Sequence, residues 1–286
     1  MTQDFPSLTL LGPLALRRGR RRQKLPFAGH TRSLFTFLAG HANAALRRDA
    51  LIDELWPGVP VQKAQSGLNT AIWRIKRGLA PYEGLSVECL DDLVRLSVEP
   101  PARLDAGALE DALLLAGSGP VLAGEARARL VAAVALCRGP FLDGCADHWV
   151  LPLRERFAGL QVRALSILMR DRAGAQDYDA ALEHGRAILA LDPFREGTQR
   201  EVIWLYALNG QRAQALRQYR ALAALLEREL AIAPMPETVA LYRKIAEADV
   251  AIRRIAAESL GEEGRGSAAA VPAVCFAGAG AESGPA

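Results

Sequence analysis

The sequence predicts a mainly α-helical protein in which a small N-terminal region of strands and helices precedes an all-α array. Short apolar runs broken by glycine, proline and basic residues are typical of strands and tight turns, and they occupy residues 7–26. Apolar residues then recur every three or four positions, as in amphipathic helices, near residues 31–40, 48–56 and 61–79. The same period runs through most of residues 105–258. Helices therefore dominate the predicted fold.

A predicted hairpin completes the N-terminal region. Residues 85–98 read as two strands joined by a tight turn at Asp91-Asp92. The order of strands, three helices and a hairpin ends at Pro100-Pro101. We predict three regions, which are a first domain at residues 7–98, a helical domain at 102–258 and a disordered Gly/Ala-rich tail at 260–286.

The helical domain contains a weak internal repeat. Aligning residues 178–193 with 212–227 superposes Ala181 on Ala215, 34 residues later, which is the tetratricopeptide period. Stacked helix pairs of this kind form a concave protein-binding surface. The segment "RGPFLDG" at 138–144 is predicted to be a loop that interrupts the helices.

Composition excludes several classes of protein. Of the 286 residues, half are hydrophobic, but no apolar run reaches the ~18 residues that a membrane span requires. The N-terminus lacks the pattern of a signal peptide, and four scattered cysteines are too few for a disulfide framework. These features predict a cytoplasmic protein without a membrane partner.

The predicted third helix, "SGLNTAIWRIKRGL", has an unusual exposed face. It carries basic residues at 63, 74, 76 and 77, and no acid occurs from Pro60 to Ala80. Basic side chains contact phosphates, whereas Ser, Thr and Asn can read base edges in the major groove. A solvated helix face is the alternative. The candidate DNA-binding residues on this helix are Lys63, Ser66, Asn69, Thr70, Trp73, Arg74 and Arg77. On the second hairpin strand, Arg95 is a further candidate for phosphate contact.

Two stretches carry a family resemblance. "RRDALIDELWPG…GLNTAIWRIKRGL" resembles helices two and three of the OmpR/PhoB-type winged helix-turn-helix. "LCRGPFLDG…W…LRERF", with the tetratricopeptide-like helices after it, resembles the bacterial transcriptional activator domain. Together they cover residues 7–245 and resemble the SARP class of activators. The resemblance implies a third helix in the major groove, a hairpin wing on the DNA backbone, and a helical domain for dimerisation and contact with RNA polymerase.

Other residue clusters are given structural interpretations. Cys137, Cys145 and His148 form C-x7-C-x2-H, which lacks the fourth ligand and the tight pair of a zinc site, so we predict structural thiols and no metal. Trp56 is predicted to anchor a helix end, and Trp149 and Trp204 to pack within the helical array. No catalytic constellation or nucleotide-binding motif occurs, so neither an enzyme nor a cofactor is predicted.

The basic run "RRGRRRQK" at 17–24 has two interpretations. It could be a phosphate-contacting loop, or a charged β-turn that stays solvated. We favour the solvated turn, because the N-terminal sheet of a winged helix usually lies away from the groove.

The predicted function is sequence-specific binding of double-stranded DNA by a transcription regulator that acts as a homodimer. Activation and contact with RNA polymerase follow from the resemblance alone. The alternative is a protein-binding adaptor whose tetratricopeptide-type array holds a partner and whose winged helix is structural. Steep weakening by salt would distinguish DNA binding from an apolar protein interface.

Overall fold

The computed structural model describes residues 5–19, 21–117 and 122–259, and this part of the chain is mainly α-helical. The predicted tail at 260–286 lies outside the described residues. The helices are α1 (Gly29–Gly40), α2 (Arg48–Leu55), α3 (Val61–Leu79), α4 (Asp105–Ala116), α5 (Gly124–Val134), α6 (Val150–Gly174), α7 (Tyr178–Leu191), α8 (Glu196–Leu208), α9 (Arg212–Leu230) and α10 (Pro236–Ser259). Each lies where the helical period predicts a helix.

Short strands form three small sheets. The strands are β1 (Pro6–Thr9), β2 (Gly12–Pro13), β3 (Ala15–Arg18), β4 (Arg21–Gln23), β5 (Leu46–Arg47), β6 (Leu85–Leu90), β7 (Leu93–Val98), β8 (Arg103–Leu104) and β9 (Phe141–Asp143). Their orders are β4-β3-β1-β8, β5-β7-β6 and β2-β9. The predicted hairpin is confirmed, since β6 and β7 pair antiparallel from Leu85↔Val98 to Leu90↔Leu93.

The predicted loop at 138–144 is wrong in part, because it contains β9. This strand pairs with β2 in parallel, and Gly12 lies opposite Phe141. Phe141 and Leu142 are buried. The guanidinium of Arg154 donates hydrogen bonds to the carbonyls of Phe141 and Leu142, both at 2.9 Å, and of Cys145 at 2.6 Å. A three-residue strand whose partner is distant in sequence leaves no periodic signal.

One hydrophobic core joins the N-terminal strands to the first helices beyond residue 101. Buried side chains run continuously from Leu8 of β1 through α3 to Leu168 of α6. The sheet crosses the same boundary, because β1 pairs in parallel with β8. The carboxylate of Asp105 accepts hydrogen bonds from the amides of Leu10, at 2.8 and 2.9 Å, and of Leu11, at 3.0 Å. The N-terminal sheet is thereby bonded to the start of α4.

Trp149 packs elsewhere than predicted. It lies just before α6, but its aromatic neighbours belong to α1 and the residue after it. Its ring centroid is 4.8 Å from that of Phe37 and 5.8 Å from that of His41. The interpretation as packing within the helical array is therefore wrong. The apolar neighbours of Trp149 in sequence do not reveal a ring partner more than 100 residues away.

The remaining helices surround a second core. It is built by α6 to α10, and both alanines of the sequence repeat, Ala181 and Ala215, are fully buried there. Gly185 lets α7 approach α8, since a Cβ atom at this position would lie 2.5 Å from Cγ2 of Val202. The absence of a side chain at position 185 therefore permits the close spacing of α7 and α8.

Candidate nucleic-acid interface

The third helix, α3, has one buried and one exposed face. Its buried side chains recur at the predicted spacing, and they are Ala64, Leu68, Ala71, Ile72, Ile75 and Leu79. These residues pack into the first core, beneath α1 and the hairpin. Because one side is committed to the core, the opposite side faces solvent along the full length of the helix.

A close contact fixes α3 against the end of α2. Trp56 follows the last residue of α2 and is only 6% exposed, so its predicted role as a helix-end anchor is confirmed. A Cβ atom at Gly67 would lie 3.0 Å from Trp56 Nε1, tighter than most real contacts. The ring of His30 stacks on Trp56 with centroids 5.4 Å apart. Glycine at position 67 thus lets the two helices approach.

All seven candidates on α3 are exposed, and they are Lys63, Ser66, Asn69, Thr70, Trp73, Arg74 and Arg77. Across the part of the chain that the structure describes, Lys63, Arg74 and Arg77 make no ion pair with an acid. The guanidinium of Arg77 lies over the ring of Trp73, 5.4 Å from its centroid, and this ring is 57% exposed. The face therefore offers uncompensated positive charge beside an exposed aromatic ring.

Two side chains on this face are oriented by hydrogen bonds. Thr70 Oγ1 donates to the carbonyl of Ser66 at 2.9 Å. Arg48 Nη1 donates to Asn69 Oδ1 at 2.7 Å, and the amide nitrogen of Asn69 makes no hydrogen bond within the described residues. The sequence did not single out Arg48. It lies 21 residues before Asn69, and no local pattern indicates that the two meet.

The structure pairs Arg95 with an acid of the same hairpin. Its Nε and Nη2 atoms lie 3.1 and 2.5 Å from Glu88 Oε2, on the neighbouring strand. This carboxylate raises the pKa of Arg95, chiefly through the hydrogen bond. The charge of Arg95 is therefore already compensated by Glu88. In this respect Arg95 differs from the unpaired cations of α3. At the hairpin tip, Asp91 and Asp92 are exposed, as is Leu90 at 72%.

The basic run at 17–24 forms the β3–β4 hairpin. Arg18 lies opposite Arg21, and Leu16 opposite Gln23. Arg18 and Arg21 are exposed, which agrees with a charged β-turn.

The three residues of the C-x7-C-x2-H pattern have separate partners. Cys137 Sγ donates to the carbonyl of Ala133 at 3.7 Å, and burial raises its pKa to about 11. Cys145 Sγ lies 3.4 Å from Asp147 Oδ2, and burial raises its pKa as well. His148 Nε2 lies 3.5 Å from Glu54 Oε1. A thiol with a raised pKa is a poor metal ligand and nucleophile, which supports the structural interpretation.

Comparison with known proteins finds similar transcriptional regulators. The bacterial transcriptional activator domain matches residues 122–246, which run from just before α5 into α10. The transcriptional regulatory protein MoaR1 of Mycobacterium tuberculosis is 28% identical over 266 residues, covering 85% of this chain and 80% of MoaR1. The regulatory protein DnrI of Streptomyces peucetius is 28% identical over 262 residues, covering 86% of this chain and 94% of DnrI. Over most of its length, the chain is therefore similar to transcriptional regulators of the SARP class.

A solved structure supports the fold of this chain. Mycobacterium tuberculosis EmbR, solved in complex with a low-affinity phosphopeptide, matches with a TM-score of 0.68 at 23% identity. The match covers 85% of this chain and 65% of the EmbR chain, so this chain spans slightly less than two thirds of EmbR. In the described residues, we find no helix that is both long and apolar enough to span a bilayer.

Proposed function

We propose that this protein is a transcription regulator of the SARP class, which binds specific sequences of double-stranded DNA through α3 and activates transcription from them. Similarity to SARP-class regulators supports a role in transcription regulation. The observation that carries the DNA-binding proposal is the exposed face of α3. Three cations there have no acidic partner in the described chain, and no acid lies between residues 60 and 80.

The side chains on this face suit the major groove. An α-helix fits that groove, where Asn can bond adenine and an aromatic ring can contact a thymine methyl group. Asn69, with its amide oriented by Arg48, is the strongest candidate for base recognition. Lys63 and Arg74 would contact phosphates, which position the helix without specifying sequence. Arg95 would contribute least, because Glu88 already pairs with it.

The helical half would supply the contacts that turn binding into activation. We infer that it self-associates or meets RNA polymerase, as the class resemblance implies. Two protomers on half-sites about one helical turn apart would gain affinity through effective concentration. The protein would act in the cytoplasm, where bacterial DNA lies.

The test is selection from random duplex DNA by the purified full-length chain, followed by titration of the enriched sequence at two salt concentrations. An enriched motif and a steep loss of affinity with salt are expected. The double variant Arg74→Ala/Arg77→Ala should lose ~1–3 kcal/mol of binding free energy and show a shallower salt slope.

The matched control is Arg163→Ala/Arg220→Ala, which removes two exposed arginines from α6 and α9. This variant should bind the selected DNA like the wild type. Absence of enrichment would contradict the proposal, as would equal losses in the two double variants. In that case, a salt-insensitive protein partner captured by the helical half would favour the adaptor.

A further inference from the structure

A cavity of about 910 Å³ lies between the N-terminal sheet and the first two helices of the helical half. Strands β1, β3 and β8 form one wall, and helices α4 and α5 form the other. Its lining includes neither Arg95 nor any residue of α3. The cavity is therefore separate from the proposed DNA-binding face, and it lies at the junction of the two halves.

The cavity is lined by more positive than negative side chains. Four arginines line it, at positions 17, 103, 129 and 138. Arg129 is paired with Glu125 at 2.8 Å. Within residues 5–19, 21–117 and 122–259, the side chains of Arg17, Arg103 and Arg138 have neither a hydrogen bond nor an ion pair. Three cations without partners thus surround one space.

One of these arginines carries a buried donor without an acceptor. Nε of Arg17, at the centre of β3, is inaccessible to solvent and has no hydrogen-bond partner among the described residues. Buried polar groups are almost always hydrogen-bonded, and an exception indicates an absent partner or a functional role. The guanidinium of Arg17 would be stabilised by an anion in the cavity.

The two carboxylates that line the cavity do not neutralise the arginines. Asp105 is buried, and its oxygens accept hydrogen bonds from the backbone amides of Leu10, Leu11 and Ala106. Burial raises the pKa of Asp105, which disfavours its charged form. Asp111 is exposed and provides a single negative charge. The balance of charge in the cavity is therefore positive.

The other part of the wall is apolar. Buried or half-buried hydrophobic side chains from both halves face the same space, and they are Leu8, Leu104, Ala112, Ala133 and Leu136. Ligand sites typically combine such a surface with a few convergent polar groups. We propose that this cavity binds a small amphipathic anion, in which a carboxylate or phosphate meets the arginines and an apolar body lies against the leucines and alanines.

Titration calorimetry of the full-length chain with simple probes tests this site. The probes are octanoate, octyl phosphate, octanol, octylammonium and inorganic phosphate. Octanoate or octyl phosphate should bind at one site, and the preferred one identifies the head group. The other three probes should bind at least about tenfold more weakly. Octanol and octylammonium lack the anionic group, and inorganic phosphate lacks the apolar body. Equal binding of inorganic phosphate, or no binding of either anionic amphiphile, would overturn the proposal.

Two variants localise the binding. Arg138→Ala removes an exposed cation of the cavity, and Ala132→Trp fills the space from its exposed rim without altering a charge. Each should weaken the preferred anionic amphiphile by about tenfold or more, whereas Arg163→Ala, outside the cavity, should leave it unchanged. If both cavity variants bind like the wild type, the site is not this cavity. The double variant Arg74→Ala/Arg77→Ala should also bind the anionic amphiphile like the wild type. The result at the cavity is therefore independent of whether α3 binds DNA.

Discussion

Trp149 lies edge-on to Phe37, with ring centroids 4.8 Å apart and ring planes at 63°. The first residue belongs to the segment that leads into α6, and the second to α1. They join the two halves of the chain. The indole Nε1 of Trp149 is buried and has no acceptor within the described residues. The contact is therefore one of packing and aromatic geometry and involves no hydrogen bond from the indole.

Replacement of Trp149 by alanine is expected to lower the free energy of unfolding by about 2 kcal/mol. This loss is smaller than that expected for a fully buried tryptophan, because the Trp149 ring is half-buried. Trp149→Phe should lose less, since it keeps an aromatic ring and removes the buried donor. Chemical denaturation measures both. The matched control is Trp73→Ala on the exposed face of α3, which should leave stability unchanged. An unaltered midpoint for Trp149→Ala would contradict this role.

Alanine in place of Gly185 should destabilise the chain by about 1–3 kcal/mol, because the added Cβ atom would lie 2.5 Å from Val202 Cγ2. At Gly159 of α6, no atom lies within 4 Å of the added Cβ. Gly159→Ala should therefore stabilise by about 0.5–1 kcal/mol through helix propensity. Thermal unfolding of the two variants should give shifts of opposite sign. An unchanged or raised unfolding temperature for Gly185→Ala would contradict the close contact of α7 and α8.

Removal of the Arg154 guanidinium should destabilise the β9 segment. In Arg154→Met, the carbonyls of Phe141, Leu142 and Cys145 lose their donor, and the expected loss is about 2–3 kcal/mol. Arg154→Lys should restore only part of it, because one ammonium cannot reproduce the planar geometry of three bonds. Hydrogen exchange should show faster exchange of the Leu142 amide in both variants. Full recovery by lysine would contradict this geometry.

Asp105 should make stability depend on pH in a direction opposite to that of a surface carboxylate. Burial raises its folded-state pKa above the ordinary value of 3.8, so the folded protein binds this proton more tightly than the unfolded chain. Its contribution to stability is fully present below pH 3.8 and decreases as pH rises through the folded pKa. The difference in unfolding free energy between wild type and Asp105→Asn should shrink over that range. Denaturant titrations at several pH values measure it, and a growing difference would contradict the raised pKa.

The sequence predicts most of the fold because the helices have strong periodic patterns. Leu68, Ile75 and Leu79 repeat at helical spacing, and α3 begins and ends where this pattern does. Strand β9 was missed, since three residues provide no period and its partner Gly12 is more than 100 positions away. Trp149 was misplaced for the same reason. Long-range pairing is the information that one sequence lacks.

For the candidate DNA-binding face, the sequence predicts which side chains are exposed, but not which other side chains they contact. Helical periodicity alone places Asn69 and Arg74 opposite the core. It does not reveal that Arg48 holds the Asn69 amide or that Glu88 pairs with Arg95. These contacts depend on how α2 and the hairpin pack, which local spacing does not encode.

The pairing of β1 with β8 and of β2 with β9 also affects how the chain is made. During synthesis, residues 6–13 leave the ribosome about 100 residues or more before their strand partners at 103–104 and 141–143. Until these partners emerge, the nascent chain presents unpaired strand edges and the side chains of Leu8 and Leu10, which are buried in the folded protein, to solvent. Strands β1 and β2 are therefore made long before they reach their final contacts, and a chaperone that shields this segment during synthesis would favour correct folding.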